Sequence, residues 1–305
     1  MKYTKWGMCL LALLVACAGS ASAQTAATAS VSGTVTDQSG AVVPGAEVEL
    51  LDTATNSTRK VTADENGVYR FVNVNPATYR VTATAQGFKK AVIQSMKIEV
   101  AKSYNQAFQL EVGDVASTVE VMAATSAEIQ TTDATVGNAI GGTELLRLPT
   151  SNRSAASLLL LQPLVMPGRG VGIDVGGQVA GARSDQTTFL LDGGDSTSNT
   201  EGSGGYNSGF DGTPLPMIPV PVDSIEEFRV GTTNPNATFG RSQGGQVAMI
   251  TKRGTNDIHG SVYWYHQNDN LNANSWDNNR AGIAKPELKD NRYGFTLGGP
   301  LWKDK

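Results

Sequence analysis

Few side chains in this chain could do chemistry. Its two histidines, His259 and His266, lie in one stretch, "IHGSVYWYHQNDN" (residues 258–270), with Tyr263, Trp264 and Tyr265 between them. Two imidazoles could ligate a metal or act as a general base. They are an odd number of positions apart, so a regular strand turns them to opposite faces. The two cysteines, Cys9 and Cys17, lie in the first residues and cannot complete a zinc set with them. There is no Gly-x-Ser-x-Gly elbow, and neither histidine has an acid and a nucleophile beside it. The glycine-rich "GRGVGIDVGG" lacks both the phosphate-loop lysine and the dinucleotide spacing, and reads as a turn. The expectation is no catalytic residue, no metal site, no cofactor and no enzyme.

What remains must be read from the elements. At 305 residues, with 40% hydrophobic and 17% charged side chains, the chain can build one large or two smaller packed domains. Its 34 glycines point to short strands joined by turns. The formal charge of −4 comes without a basic block, which argues against a nucleic-acid partner. Residues 1–23 have the form of a signal peptide: Lys2 and Lys5, an apolar run too short to span a bilayer, then Ala21-Ser22-Ala23 before Gln24. Cleavage between Ala23 and Gln24 is the expectation. Leu14-Val15-Ala16-Cys17 also fits a lipobox, so lipidation at Cys17 stays open. Cleavage at Ala23 leaves an exported, acidic chain without cysteine.

Residues 27–112 alternate apolar and polar positions in short runs. Val31, Gly33 and Val35 share a face, as do Val48 and Leu50, Tyr69 and Phe71, Tyr79, Val81 and Ala83, Ile98 and Val100, and Phe108 and Leu110. Turn residues separate them, at Gln38-Ser39-Gly40, Pro44-Gly45, Asp64-Glu65-Asn66-Gly67, Asn75-Pro76 and Gln86-Gly87. Six or seven such strands predict an immunoglobulin-like β-sandwich. Gly33, Asp37, Gly40, Pro44-Gly45-Ala46, Thr62, Gly67, Tyr69, Phe71, Tyr79, Val81 and Gly87-Phe88 together resemble the carboxypeptidase regulatory-like (transthyretin-like) domain. That resemblance implies an accessory module without peptidase machinery, grouped with carbohydrate-binding-like folds. Tyr69, Phe71 and Tyr79 keep register with the apolar positions and are expected in the core rather than on a sugar-binding platform.

Residues 113–137 are small, polar and β-branched, and read as a linker. Within them Thr118, Val119, Glu120, Val121, Met122 and Ala123 form a lone strand-former, suited to pairing with the edge of another protein's sheet. Short helices are predicted over 142–148 and 154–162, each stopped by proline, followed by two strand-like runs and a glycine-serine-asparagine loop. From there the motifs resemble the plug domain of TonB-dependent outer-membrane receptors of the Oar-like group, over residues 138–255. They are Gly181-Ala182-Arg183 with Phe189-Leu190-Leu191-Asp192-Gly193, then "VDSIEEFRV" from Val222, then Phe239-Gly240-Arg241 through Gly244-Gly245 to "ITKRGTN" from Ile250. Arg183, Asp192, Glu226, Glu227 and Arg229 could pair inside a wet barrel lumen or stand as solvated surface charge. In the loop from Asp195 to Gly212, Tyr206 and Phe210 are the candidate ligand contacts, being its only aromatics.

Residues 256–305 hold two candidate strands, one with Val262, Trp264 and His266 on one side, the other with Tyr293, Phe295 and Leu297 on one side. The resemblance makes them the start of a transmembrane β-barrel. A receptor barrel needs about 22 strands, so a truncated barrel is expected here. The fold class is thus mainly β: the sandwich, an α+β plug and the first strands of the barrel. The resemblance also implies outer-membrane residence with lipid around the barrel, a TonB-type energy-transducing inner-membrane partner gripping residues 118–123, and a small ligand (siderophore, oligosaccharide or peptide). The reading from another class is a secreted or surface carbohydrate-binding or adhesive module.

Overall fold

The computed structural model describes residues 27–113, 118–120, 134–148, 153–167, 176–182, 186–197, 216–218, 220–234, 240 and 244–302. Eight strands build the first unit: β1 (Ala29–Asp37), β2 (Glu47–Asp52), β3 (Thr58–Thr62), β4 (Val68–Val74), β5 (Ala77–Thr84), β6 (Lys90–Ile98), β7 (Ser103–Asn105) and β8 (Phe108–Leu110). β1 lies between β4 and the pair β7 and β8; the facing sheet runs β3-β2-β5-β6. Every apolar face anticipated from the alternation is buried, including Tyr69, Phe71 and Tyr79. The Tyr69 hydroxyl, driven well above its usual range by burial, donates to the Gln106 carbonyl at 2.6 Å. These aromatics therefore belong to the core.

Two turns show how sequence sets the strand ends. Asp37 accepts from the amides of Ser39 and Ala41 at 2.8 and 2.9 Å; Asp64 accepts from those of Asn66 and Val68, both at 2.9 Å. Each turn closes on a glycine at positive φ, Gly40 at 85° and Gly67 at 70°. Asp-x-x-Gly is thus one device used twice, an Asx turn ending in a residue that needs the left-handed region.

The second unit is a five-stranded sheet ordered β10 (Val136–Gly141), β15 (Ile225–Thr233), β16 (Gln246–Thr251), β13 (Thr188–Leu191), β14 (Gly194–Asp195). β9 (Thr118–Glu120) precedes it, and β11 (Val165–Pro167) pairs with β12 (Gly176–Val179). The helix expected over 142–148 is α1 (Thr143–Arg147); Leu148 is already extended, as a residue before proline prefers. The stretch expected as a second helix forms a 3-10 helix at Ala155–Leu161, flanked by extended residues, and buries Leu158 and Leu159 under the sheet with Phe189, Phe228 and Met249.

β16 is buried along five successive residues because both its faces are covered. Val247 and Met249 face the 3-10 helix, while Ala248 and Ile250 pack against Val100 of the sandwich. On β15 a bulge between Ile225 and Glu227 changes the register. Ile225 and Phe228, three positions apart, both reach the core as a result. A bulge re-aims the neighbouring side chains.

β17 (His259–Asn268) and β18 (Lys289–Gly298) form a long antiparallel hairpin in unbroken register, His259 opposite Gly298 and Asn268 opposite Lys289. Their connection carries α2 (Trp276–Ala281), capped by the Ser275 hydroxyl and closed by Gly282 at φ 68°.

Candidate functional site

The hairpin has two unlike faces. Val262, Trp264, Tyr293, Phe295 and Leu297 share one face and are 69–88% exposed. Ser261, Tyr263, Tyr265 and Gln267 share the other with Asp290, Arg292 and Thr296. His259 and His266 fall on opposite faces, the first against the Asp257 carbonyl at 2.9 Å, the second beside the Asn291 side-chain oxygen at 2.8 Å.

The polar face meets the second unit. Arg153 Nη2 donates to the Tyr265 hydroxyl at 2.8 Å, and that hydroxyl donates to Asp223 Oδ1 at 2.8 Å. The guanidinium carbon sits 4.1 Å from the Tyr265 ring centroid and Nη2 lies 3.4 Å from Asp223. Both charges are largely withdrawn from solvent, where a stacked, hydrogen-bonded guanidinium is worth more than a surface ion pair. Arg153 holds this place with a backbone φ of 51°, which a side-chain-bearing residue adopts only under constraint. A cleft of about 340 Å³ opens beside it, lined by Tyr263, Arg292 and Tyr293 as well. Sequence reading passed over Arg153, since nothing local distinguishes it. Asp223 stood within a quoted motif but without a role.

The second joint seats the sandwich on the five-stranded sheet. Val100, just beyond β6, donates its amide to Glu227 Oε1 at 2.9 Å, and its carbonyl accepts from Arg229 Nη1. Glu227 and Arg229 thus capture both polar groups of one peptide residue from the same face of β15. Burial is the main force on Glu227 and pushes its carboxyl up to about 7; Glu99 adds to the rise, and the Val100 amide, Lys97 and Arg229 oppose it. Nearby, Arg253 donates to the Pro76 carbonyl at 3.0 Å and lies 3.6 Å from Asp52. Asn256 bonds the Ala54 and Thr55 carbonyls at 2.9 and 2.8 Å. Glu226 is exposed, and Asp192 accepts from the amide and hydroxyl of Thr251. Glu227 and Arg229 therefore spend these bonds on backbone rather than on each other, and neither is solvated surface charge. The bulge, which no local pattern announces, turns Glu227 toward the sandwich.

Of the residues expected to meet partners, Thr118, Val119 and Glu120 form β9, an added parallel strand on the edge of β6, opposite Lys90, Ala91 and Val92. The segment is thus not isolated: β6 presents unpaired backbone there, and the chain's own sheet takes it. Val121, Met122 and Ala123, the loop aromatics Tyr206 and Phe210, the cleavage pair Ala23 and Gln24, and Arg183 all lie outside the described residues.

With this geometry in place, comparison with known proteins is informative. Residues 30–111 match the family model of the carboxypeptidase regulatory-like domain, and residues 250–305 that of an outer membrane beta barrel domain. The chain is 24% identical over 298 residues to the TonB-dependent transporter Oar of Myxococcus xanthus, covering 93% of this chain and 26% of that protein. Over most of its length the chain is thus similar to a TonB-dependent transporter. A second relative, named "Probable TonB-dependent siderophore receptor PirA", from Acinetobacter baumannii, is 35% identical over 86 residues, or 28% of this chain and 10% of that protein. The chain therefore spans about a quarter of the first relative's length and a tenth of the second's. Among solved structures, the catechol 1,2-dioxygenase of Acinetobacter radioresistens overlaps 34% of this chain and 58% of its own at 16% identity and a TM-score of 0.24, a likeness that carries no functional argument. The chain is mainly β, with an immunoglobulin-like regulatory domain at residues 30–111 and a match to a barrel domain at residues 250–305, and these likenesses place it at the outer membrane.

Proposed function

We propose that this chain forms the N-terminal part of a transporter that takes up a small ligand across the outer membrane. The five-stranded unit is its plug and the β17–β18 hairpin the first two strands of its barrel. The two-faced hairpin carries the reading. Its aromatic and aliphatic face has the chemistry of a lipid-facing barrel wall, while its polar face is tied by Tyr265 to Arg153 and Asp223 of the plug. Two strands in lipid leave edges with unpaired backbone, so the hairpin functions within a closed barrel. The energy comes from a TonB-type inner-membrane partner that takes Thr118–Ala123 by strand addition, drawing Thr118–Glu120 off the edge of β6, and Tyr206 and Phe210 contact the ligand. A siderophore, an oligosaccharide or a peptide fits this scheme equally. The sandwich is an accessory module; with Tyr69, Phe71 and Tyr79 buried, none of the three offers a sugar-stacking platform.

The test uses the intact receptor in cells. Proline at Val119 and Val121 removes two strand donors and fixes φ. The double variant is expected to bind ligand at the surface as before and to lose energised uptake. Wild-type uptake in that variant would place the partner's grip elsewhere.

A further inference from the structure

The joint between sandwich and plug offers more than attachment. A carboxylate seated at an interface changes its charge at a hydrogen-ion cost set by that interface, and Glu227 is 5% exposed. Its oxygen receives one hydrogen bond, from the amide of Val100, which either protonation state can accept. The groups facing it are Lys97 and Glu99 at the end of β6 and Arg229 on its own strand. Glu144, Glu226 and Arg253 line the adjoining cleft with Glu227 and Lys97. Glu99 is itself shared between Lys97 at 3.6 Å and Lys102 at 3.8 Å, so neither lysine is free to neutralise Glu227 alone. Of the other cations, Arg229 is hydrogen-bonded to the Val100 carbonyl, and Arg253 to the Pro76 carbonyl with Asp52 3.6 Å away. The apolar part of the joint is small, comprising Val100, Ala248 and Ile250 with Ala27 and Ala101 at its margin. Arg253 and Asn256 add hydrogen bonds at its edge, and Arg253 lies beside another buried acid, Asp52. Glu227 is the acid that bonds across the joint to the sandwich backbone directly, so the joint is sensitive to its charge.

We propose that the sandwich is a pH-gated latch on the plug, seated on β15 while the Glu227 carboxyl is protonated and loosened when it ionises. The sign follows from linkage. In the docked state burial holds the carboxyl at about 7 rather than its ordinary 4.5, and Glu99 of the sandwich adds to that rise. Docking and protonation therefore favour each other, so docking is strongest below 4.5, weakens as pH rises toward 7 and levels off above it. Over that window the docking constant falls by no more than roughly two orders of magnitude. The inference depends on the joint and holds whichever ligand is carried.

The experiment is a distance measurement on the full chain in detergent micelles. Cys9 and Cys17 are replaced by serine, and spin labels are placed at Thr58→Cys on the sandwich and Asn138→Cys on the plug. At pH 4.5 one narrow distance distribution is expected. Through pH 7 a second, broad population should grow, and the Val100 amide should lose exchange protection once the intrinsic pH dependence is removed. Glu227→Gln keeps the acceptor without the charge and should stay docked to pH 8.5. A wild-type distribution that does not change between pH 4.5 and 8.5 would overturn the proposal. So would a Glu227→Gln chain that loosens in step with the wild type.

Discussion

At Gly33 a methyl group would stand 1.7 Å from the Gln106 carbonyl oxygen, in the stretch that joins β7 to β8. Both strands run parallel to β1 in one register, so this junction lies directly beside Gly33. The same carbonyl holds the Tyr69 hydroxyl, and the Gln106 amide bonds the Ser32 carbonyl at 2.7 Å. Gly33→Ala cannot be absorbed by a side-chain rotation, because the obstacle is backbone. We expect it to destabilise the sandwich by about 2 kcal/mol or more, seen as a lower melting temperature of the β-sheet circular dichroism signal. A melt unchanged from wild type would mean that the β7–β8 junction moves aside freely. Gly33 was legible as a member of an inward face; the reason for glycine there needed the β7–β8 junction beside it.

At the scale of elements, the sandwich strands could be read because each has one buried face and one open one, so alternation survives in the sequence. The hairpin could be read for the same reason, since one of its faces is apolar and the other polar. β16 kept no such signature, since Val100 covers the face that alternation would leave to water. β9 was legible as a strand-former but not as an edge strand of its own sheet, because its partner lies on β6, far upstream. The Arg153–Asp223–Tyr265 contact was illegible: it joins three elements through long separations in sequence. Its weight can be measured with Tyr265→Phe, which keeps the ring under the guanidinium and removes both hydroxyl hydrogen bonds. The loss should be about 1–3 kcal/mol, read from the urea midpoint for release of the hairpin in detergent. An unmoved midpoint would show that packing alone holds the hairpin to the plug.

For the whole molecule, three bodies are strung on contacts that differ in kind. The sandwich meets the five-stranded unit through a buried acid and a few backbone hydrogen bonds, and that unit meets the hairpin through a stacked, hydrogen-bonded arginine. Among the described residues none covers the hairpin's outer face, where Val262, Trp264 and Phe295 stand open. A barrel wall has lipid there and a wet lumen behind. Single spin labels walked along residues 260–267 of the intact receptor in outer-membrane vesicles test this most directly. Collision with oxygen, which concentrates in lipid, should peak at Val262 and Trp264, while collision with a polar nickel chelate should peak at Ser261, Tyr263 and Tyr265. Equal accessibility at successive positions, or oxygen maxima on the tyrosine side, would contradict the assignment of this hairpin to a transmembrane barrel.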